Sequence, residues 1–227
     1  MKRYIKNKKL LERNNVYSKD MEHDACGVGL VASTEGKKSR KVVEYGIQAL
    51  KAVWHRGAVD ADGKTGDGAG IHVEIPKEFF KEKIEVTGHV YDNSEICIGM
   101  IFLPRNNYEA QESCRTLDEK ELTQNDFNIY GWRQVPVNTK VLGEKAEQTR
   151  PEITQVLFRH NNQKLSGKPL EIKLYETRRK IENNVRQNHL DNFYICSFSS
   201  KSIIYKGMFL AEALADFYTD LADERFI

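Results

Sequence analysis

Seven short apolar runs constrain the fold of this 227-residue chain more than any other feature. The run at 26–32 is small, apolar and followed by turn-forming residues, and the run at 96–103 ends at Pro104, so both patterns are typical of buried strands. The runs come in clusters, and strict alternation of strand and helix is absent, which favours a layered α+β sandwich over a parallel doubly wound sheet. The predicted strands cover residues 26–32, 69–75, 96–103, 127–134, 153–160, 192–198 and 201–206.

Helical patterns occur between some of these runs. In the first, Val43, Ile47, Leu50 and Trp54 recur at helical spacing after Ser39, a residue type that caps helix N-termini. We expect all four apolar side chains to be buried, and this helix to cover the outer face of the sheet that contains the first two strands. The predicted helices cover residues 40–54, 108–122, 169–187 and 208–217.

Composition narrows the class of partner and the compartment. Lys and Arg number 35 and Asp and Glu 33, so the net charge of +2 does not indicate a general polyanion partner. The basic stretch 1–9 is interpreted as a solvated tail, and a salt-sensitive nucleic-acid contact through it is the weaker alternative. No apolar run approaches the roughly 20 residues of a membrane span, and no secretory apolar core follows the basic start. A cytoplasmic protein is expected.

The four cysteines, Cys26, Cys97, Cys114 and Cys196, are far apart in the sequence. They fall into no paired ligand spacing, which argues against a zinc or iron–sulfur site in this segment. Free thiols are expected in a reducing compartment. The last three are predicted to be buried and unrelated to one another.

Cys26 begins the first apolar run, after residues 1–25, which are mostly polar, lack sustained periodicity and are predicted to be loosely packed and partly extended. The small residues Gly27 and Gly29 leave room around it. Two interpretations stay open: Cys26 is a nucleophile, or it is a small core residue at a strand edge.

A nucleophilic cysteine needs a base, because the free thiol titrates at about 8.5 and only the thiolate attacks. One candidate base is the α-amine of Cys26 itself, exposed by removal of everything before it, since a free α-amine titrates near neutral pH. Histidines that approach in space are the other candidates: His23, His55 and His72.

The stretch 57–70 combines five glycines with Asp60, Asp62 and Asp67, which predicts a tightly folded loop. It has neither the spacing nor the lysine and hydroxyl ending of a phosphate-binding loop. Asp67 is expected to cap or brace the loop, in preference to a catalytic role.

Several motifs resemble one family. The segment Glu22-His23-Asp24-Ala25-Cys26-Gly27-Val28-Gly29 is similar to the start of the mature large subunit of glutamate synthases. Further motifs resemble the same family at matching distances, and the resemblance runs from about residue 22 to residue 227. They are Trp54-His55-Arg56-Gly57, Thr65-Gly66-Asp67-Gly68-Ala69-Gly70-Ile71, Tyr205-Lys206-Gly207-Met208 and Phe217-Tyr218-Thr219-Asp220-Leu221.

The resemblance implies a class II glutamine amidotransferase domain with the four-layer αββα sandwich of the N-terminal nucleophile hydrolases, incomplete in this chain. It implies that residues 1–25 are a leader, cleaved between Ala25 and Cys26, and that residues 26–227 are a partial amidotransferase domain. Cys26 would attack the side-chain amide of L-glutamine. Arg56 would order the site by hydrogen bonds and charge, with Gly27 and Asp67 as further support; a surface arginine at a helix end is the alternative for Arg56.

For the complete enzyme the resemblance implies FMN and an iron–sulfur cluster in a synthase domain that aminates 2-oxoglutarate, with a small NAD(P)H-oxidising subunit as partner. No cofactor is expected in this segment. The family's His-Ser-Arg-Phe-Ser and His-Asn-Gly-Glu-Ile-Asn segments do not occur in the 227 residues, so the chain alone is expected to be nearly inactive. A binding or scaffold module that keeps the first half of the fold is the alternative.

Overall fold

The computed structural model of the protein describes residues 2–13, 27–54 and 57–227. The helices are α1 Lys2–Arg13, α2 Arg40–Ala52, α3 Lys77–Val86, α4 Tyr108–Gln124, α5 Glu144–Thr149, α6 Gly167–Gln187 and α7 Leu214–Phe217. The strands are β1 Ala69–Glu74, β2 Cys97–Leu103, β3 Phe127–Gln134, β4 Glu152–His160, β5 Tyr194–Ser199 and β6 Ser202–Gly207. Short 3-10 turns cover Thr139–Val141, Ala211–Ala213 and Thr219–Ala222.

Within the part of the chain that the structure describes, the strands form two antiparallel sheets. In the first, β1 pairs with β6, and Ile71 lies opposite Tyr205. The second has four strands in the order β3-β4-β2-β5, with Met100 of β2 opposite Gln155 of β4. Because β5 and β6 follow each other through a tight turn, the chain passes from the second sheet to the first at Ser200 and Lys201. The predicted α+β architecture with two sheets is confirmed.

Strand β2 shows how the sequence builds the two sides of the second sheet. Side chains alternate along a strand, so Ile98 and Met100 enter the core that the first sheet also contributes to, whereas Cys97 and Ile101 face the other way. That other side packs against α4 and α6, whose buried residues include Leu122 and others of the same cluster. Burial on both faces explains why β2 is apolar at nearly every position.

The predicted strand at residues 26–32 is wrong for the part that the structure describes. Residues 27–32 are irregular, and Val28 and Leu30 are each 92% exposed. Their apolar character suggested burial, but a strand also requires a hydrogen-bonded neighbour, and the described ladder of β1 pairs it with β6 alone.

Helix α2 forms close to where its pattern predicts it. Ser39 is its N-cap and accepts a hydrogen bond from the Lys41 backbone N–H at 3.3 Å. Val43 and Ile47 are buried and Leu50 is partly buried, as expected. Trp54 is 58% exposed, so its predicted burial is wrong. The helix ends at Ala52, two residues too early for Trp54 to continue the apolar face.

The predicted position of α2 on an outer face also needs correction. Its buried residues Val43 and Ile47 belong to the same core cluster as Met100 and Leu157 of the second sheet. Gly46 packs over Ile71, which lies on the same face of the first sheet as Tyr205. The helix therefore closes one side of the shared core.

Other segments of the chain also differ from their predicted secondary structure. Residues 2–13 form α1, so the expected partly extended leader is wrong there; lysine, leucine and arginine are good helix formers. Residues 14–26 lie outside the described residues. The apolar helix predicted at 208–217 is reduced to a 3-10 turn followed by the four-residue α7. Helix α3 was not predicted, although Pro76 precedes it and its buried Phe80 and Ile84 lie one turn apart.

Within the described residues, none of the helices combines the length and apolar character that a membrane crossing requires.

Candidate active site

The chain directly after Cys26 lines a groove. Residues 27–33 form one wall, and α2 and β1 form the others, enclosing about 710 Å³. Gly27, the first residue of this segment, is exposed. Cys26 itself lies outside the described residues, so the position of the predicted nucleophile stays a prediction.

Arg56 also lies outside the described residues, as do His23 and His55. The predicted proximity of Arg56 to Cys26 therefore stays a prediction. The chain is described again from Gly57, whose backbone N–H donates to the Trp54 carbonyl at 3.0 Å.

Asp67 is exposed and lies next to the residue that follows Arg56. Its Oδ1 would be 3.3 Å from a Cβ built on Gly57. The Asp67 backbone N–H donates to the Ala58 carbonyl at 3.3 Å. The backbone of Asp67 thus closes the base of the loop, and a bracing role for its carboxylate stays a prediction.

Residues 57–68 form a short irregular hairpin, here called the glycine-rich hairpin. Val59 and Gly66 make an antiparallel bridge, and the Asp60 N–H donates to the Thr65 carbonyl at 2.9 Å. Gly63 has φ of 70°, a left-handed conformation that favours glycine, and it turns the chain at the tip. The predicted tightly folded loop is confirmed.

Asp62 organises the tip of the hairpin. Its Oδ1 accepts from the backbone N–H groups of Lys64 at 2.9 Å and Thr65 at 2.7 Å, and its Oδ2 accepts from the Thr65 hydroxyl at 2.5 Å. These hydrogen bonds, the Thr65 hydroxyl first, favour the ionised carboxylate and lower the pKa of Asp62 to about 2.

The hairpin is held between two parts of the fold. At its tip, the Thr65 Oγ1 accepts from the backbone N–H of Ala146 in α5 at 3.3 Å. On the other side, a Cβ on Gly66 would lie 2.7 Å from the carbonyl carbon and oxygen of Phe209, so only glycine allows this approach.

The sequence indicates that Asp62 is a turn former, but it does not indicate the contact between this turn and α5. The spacing of Asp62 and Thr65 is a local signal for a side-chain-capped turn. The contact with α5 joins Thr65 to Ala146, 81 residues away, and no local sequence pattern predicts it.

The other three cysteines are poor candidates for the nucleophile. Cys97, Cys114 and Cys196 are buried and free, as predicted. Burial raises the pKa of Cys114 to about 11 and that of Cys196 to about 11, and it raises the pKa of Cys97 further. Thiols with such pKa values carry almost no thiolate at neutral pH.

A candidate metal-binding group is not found among the described residues. Among them, no three histidine, cysteine, aspartate or glutamate side chains come together in a group that could hold a metal ion.

Comparison with known proteins places these features in one family. The family model of the class II glutamine amidotransferases matches residues 26–227. The glutamate synthase [NADPH] large chain of Azospirillum brasilense is 56% identical over 212 residues, which cover 93% of this chain and 14% of that protein.

Two more distant relatives agree. The ferredoxin-dependent glutamate synthase of Pyropia yezoensis is 37% identical over 94% of this chain, and the glutamate synthase [NADPH] large chain of Bacillus subtilis is 34% identical over 93%. The chain spans 14% of the length of each of these two relatives. By this match over residues 26–227, the chain belongs to the class II glutamine amidotransferases.

Proposed function

We propose that this segment hydrolyses L-glutamine to glutamate and ammonia, with Cys26 as the nucleophile. The observation that carries the proposal is that the match to the family begins at Cys26 itself. This start agrees with a leader of residues 1–25 whose removal makes Cys26 the N-terminal residue. The family's N-terminal nucleophile hydrolase fold is consistent with the two antiparallel sheets described above.

In the proposed mechanism the free α-amine of Cys26 takes the proton of its own thiol. The thiolate then forms a bond to the side-chain amide carbon of glutamine, and the ammonium group returns the proton to the leaving nitrogen as the carbon–nitrogen bond breaks. Ammonia leaves and a thioester remains. Water adds to the thioester carbon, the carbon–sulfur bond breaks, and glutamate and the free thiol are released.

The supporting roles fall to residues near the start of the segment. We assign to Arg56 the ordering of the site by charge and hydrogen bonds, to Gly27 the space beside the nucleophile, and to Asp67 the bracing of the glycine-rich hairpin. The close approach of Asp67 to Gly57 supports the last role, because Gly57 follows Arg56 in the chain.

The ammonia would serve glutamate synthesis from 2-oxoglutarate. This part of the proposal rests on the relatives, which are named as glutamate synthases that use NADPH or ferredoxin. It implies a synthase domain with FMN and an iron–sulfur cluster outside this segment, and a small NAD(P)H-oxidising subunit as a partner.

A reducing, cytoplasmic compartment would suit the three described cysteines, which are free thiols. We also propose that residues 1–227 alone hydrolyse glutamine poorly, because the glutamine-binding and oxyanion segments expected from the family are not among them.

The direct test replaces the nucleophile in the natural polypeptide that carries this sequence. We expect Cys26→Ala to reduce glutamine hydrolysis to the background rate, since no described thiol can substitute for it. Cys114→Ala is the matched control, because it removes a buried thiol of raised pKa and should leave the rate nearly unchanged. Undiminished glutaminase activity in Cys26→Ala would reject the proposal.

A further inference from the structure

Helix α5 begins without a side-chain cap of its own. Its N-cap residue is Gly143, which has no side chain to accept hydrogen bonds from the first turn. An acceptor comes from the glycine-rich hairpin instead, where Thr65 Oγ1 accepts from the Ala146 N–H. The Lys145 backbone N–H contributes, as the smallest of several causes, to the lowered pKa of Asp62. The first turn of α5 is therefore capped by a distant loop.

Gly143 makes this contact sterically possible. A Cβ at this position would lie 2.2 Å from Asp62 Oδ2, 2.3 Å from Thr65 Oγ1 and 2.6 Å from the Thr65 nitrogen. Its backbone has φ of −74°, which any residue adopts. Glycine is thus required for space alone, and a single added methyl group would push the hairpin and α5 apart. We call Asp62, Thr65 and Gly143 the clamp.

The clamp is linked to the base of the hairpin by a short ladder. The Asp60 N–H donates to the Thr65 carbonyl, Val59 bridges Gly66, and the Asp67 N–H donates to the Ala58 carbonyl. Thr65 is 3% exposed, so its position is fixed by its surroundings. A displacement of the tip would therefore be expected to move Gly57, the residue that follows Arg56 in the sequence.

We propose that Asp62, Thr65 and Gly143 are positioning residues for the amidotransferase reaction, because they fix the hairpin that follows Arg56 directly in the chain, and Arg56 is the residue to which the proposed function assigns the ordering of the site. This inference rests on the proposed function and adds to it a long-range contact between the start of the domain and α5. An arginine held beside the thiol favours the thiolate, and a misplaced arginine favours it less.

The expected size of the effect follows from geometry. A displacement of about 1 Å far from the reacting atoms can cost about a hundredfold in rate. We expect Thr65→Val and Gly143→Ala to lower kcat/KM for glutamine by about tenfold or more. Thr65→Ser keeps the hydroxyl group that donates to Asp62 and accepts from Ala146, so it should restore most of the activity.

The experiment uses the natural polypeptide and two readouts. One is glutamine hydrolysis, and the other is the pH dependence of Cys26 alkylation by iodoacetamide, followed by peptide mass spectrometry. Ser94→Ala is the matched control: the Ser94 hydroxyl donates to Asp92 at 2.5 Å in a similar turn outside the hairpin. We expect the alkylation midpoint to move to higher pH in Thr65→Val and Gly143→Ala, and to stay in place in Ser94→Ala and Thr65→Ser.

The outcomes separate the clamp from the proposed function. Suppose that hydrolysis depends on Cys26 but the alkylation midpoint is unshifted in both Thr65→Val and Gly143→Ala. This result would overturn the positioning role and would leave the proposed function intact. A hydrolysis that does not depend on Cys26 would overturn both. A lower melting temperature without a shifted midpoint would mean that the clamp is only structural, and would also overturn the proposal.

Discussion

At the scale of single residues, Asp118 is the least expected side chain of the core. It is fully buried on the face of α4 that also carries Cys114 and Leu122, and no described group hydrogen-bonds either carboxyl oxygen. Burial, with a smaller effect of Glu119, raises the pKa of Asp118 well above its ordinary value. A buried carboxyl without partners is therefore protonated, since ionisation would leave an unpaired charge in the core.

The raised pKa of Asp118 predicts that the free energy of unfolding depends on pH. Because the folded-state pKa is raised, the native chain binds more protons than the unfolded chain from about pH 4 upward, and stability falls as pH rises through that window. Asp118→Asn removes the titration. As pH rises from 4 to 7, the free energy of unfolding of Asp118→Asn should increase relative to that of the wild type, by up to about 1.4 kcal/mol per pH unit.

Urea unfolding of the 227-residue chain across this pH range measures the difference. Glu109→Gln, an exposed carboxylate on the same helix, is the control and should show no such trend. A free-energy difference between Asp118→Asn and wild type that does not change with pH would contradict the buried, protonated state.

At the scale of elements, one ion pair joins strand β3 to the 3-10 turn Thr219–Ala222. Arg133 donates to both carboxylate oxygens of Asp220, at 2.7 and 2.6 Å, and also to Gln155 of β4. The Tyr205 hydroxyl of β6 donates to the same carboxylate at 3.2 Å. Side chains from both sheets thus meet at Asp220, whose side chain is 3% exposed.

Removing one partner should be costly, because the other is left as a buried, poorly paired charge. We expect Arg133→Leu to lower the free energy of unfolding by about 3–5 kcal/mol, and Arg133→Leu with Asp220→Leu to recover a large part of that loss. The neighbouring Gln134, which pairs with Glu152 at the surface, gives the control: Gln134→Ala should cost less than about 0.5 kcal/mol. A loss below about 1 kcal/mol in Arg133→Leu would contradict this account.

Elements with strong local patterns could be predicted from the sequence. Strands β2, β3 and β4 and helices α4 and α6 form within a few residues of their expected bounds. The strands are short segments of strand-forming residues next to turn formers, and the two helices are rich in charged and polar residues that favour helices. Residues 27–32 carried an apolar pattern but no strand, because pairing depends on a neighbour that the local sequence does not specify. The predicted burial of Trp54 is wrong because its spacing is helical but the helix ends at Ala52.

At the scale of the whole molecule, one part of the candidate site could be predicted from local motifs and another part could not. Cys26 and Arg56 are predicted from motifs, and their roles stay predictions, although the family match begins at Cys26. The clamp could not be predicted, because it joins Thr65 to Ala146 across 81 residues. A loop of small and acidic residues indicates a turn, and only the fold shows what packs against it.

We propose above that Cys26 works as an N-terminal nucleophile whose base is its own α-amine. With Ala25 attached, that nitrogen is an amide and has no basic lone pair. The most direct measurement compares glutamine hydrolysis by the natural polypeptide with its N-terminus at Cys26 and by the same polypeptide with Ala25 retained, the termini being verified by intact mass. The account predicts hydrolysis only from the form that begins at Cys26. Equal rates from both forms would contradict it.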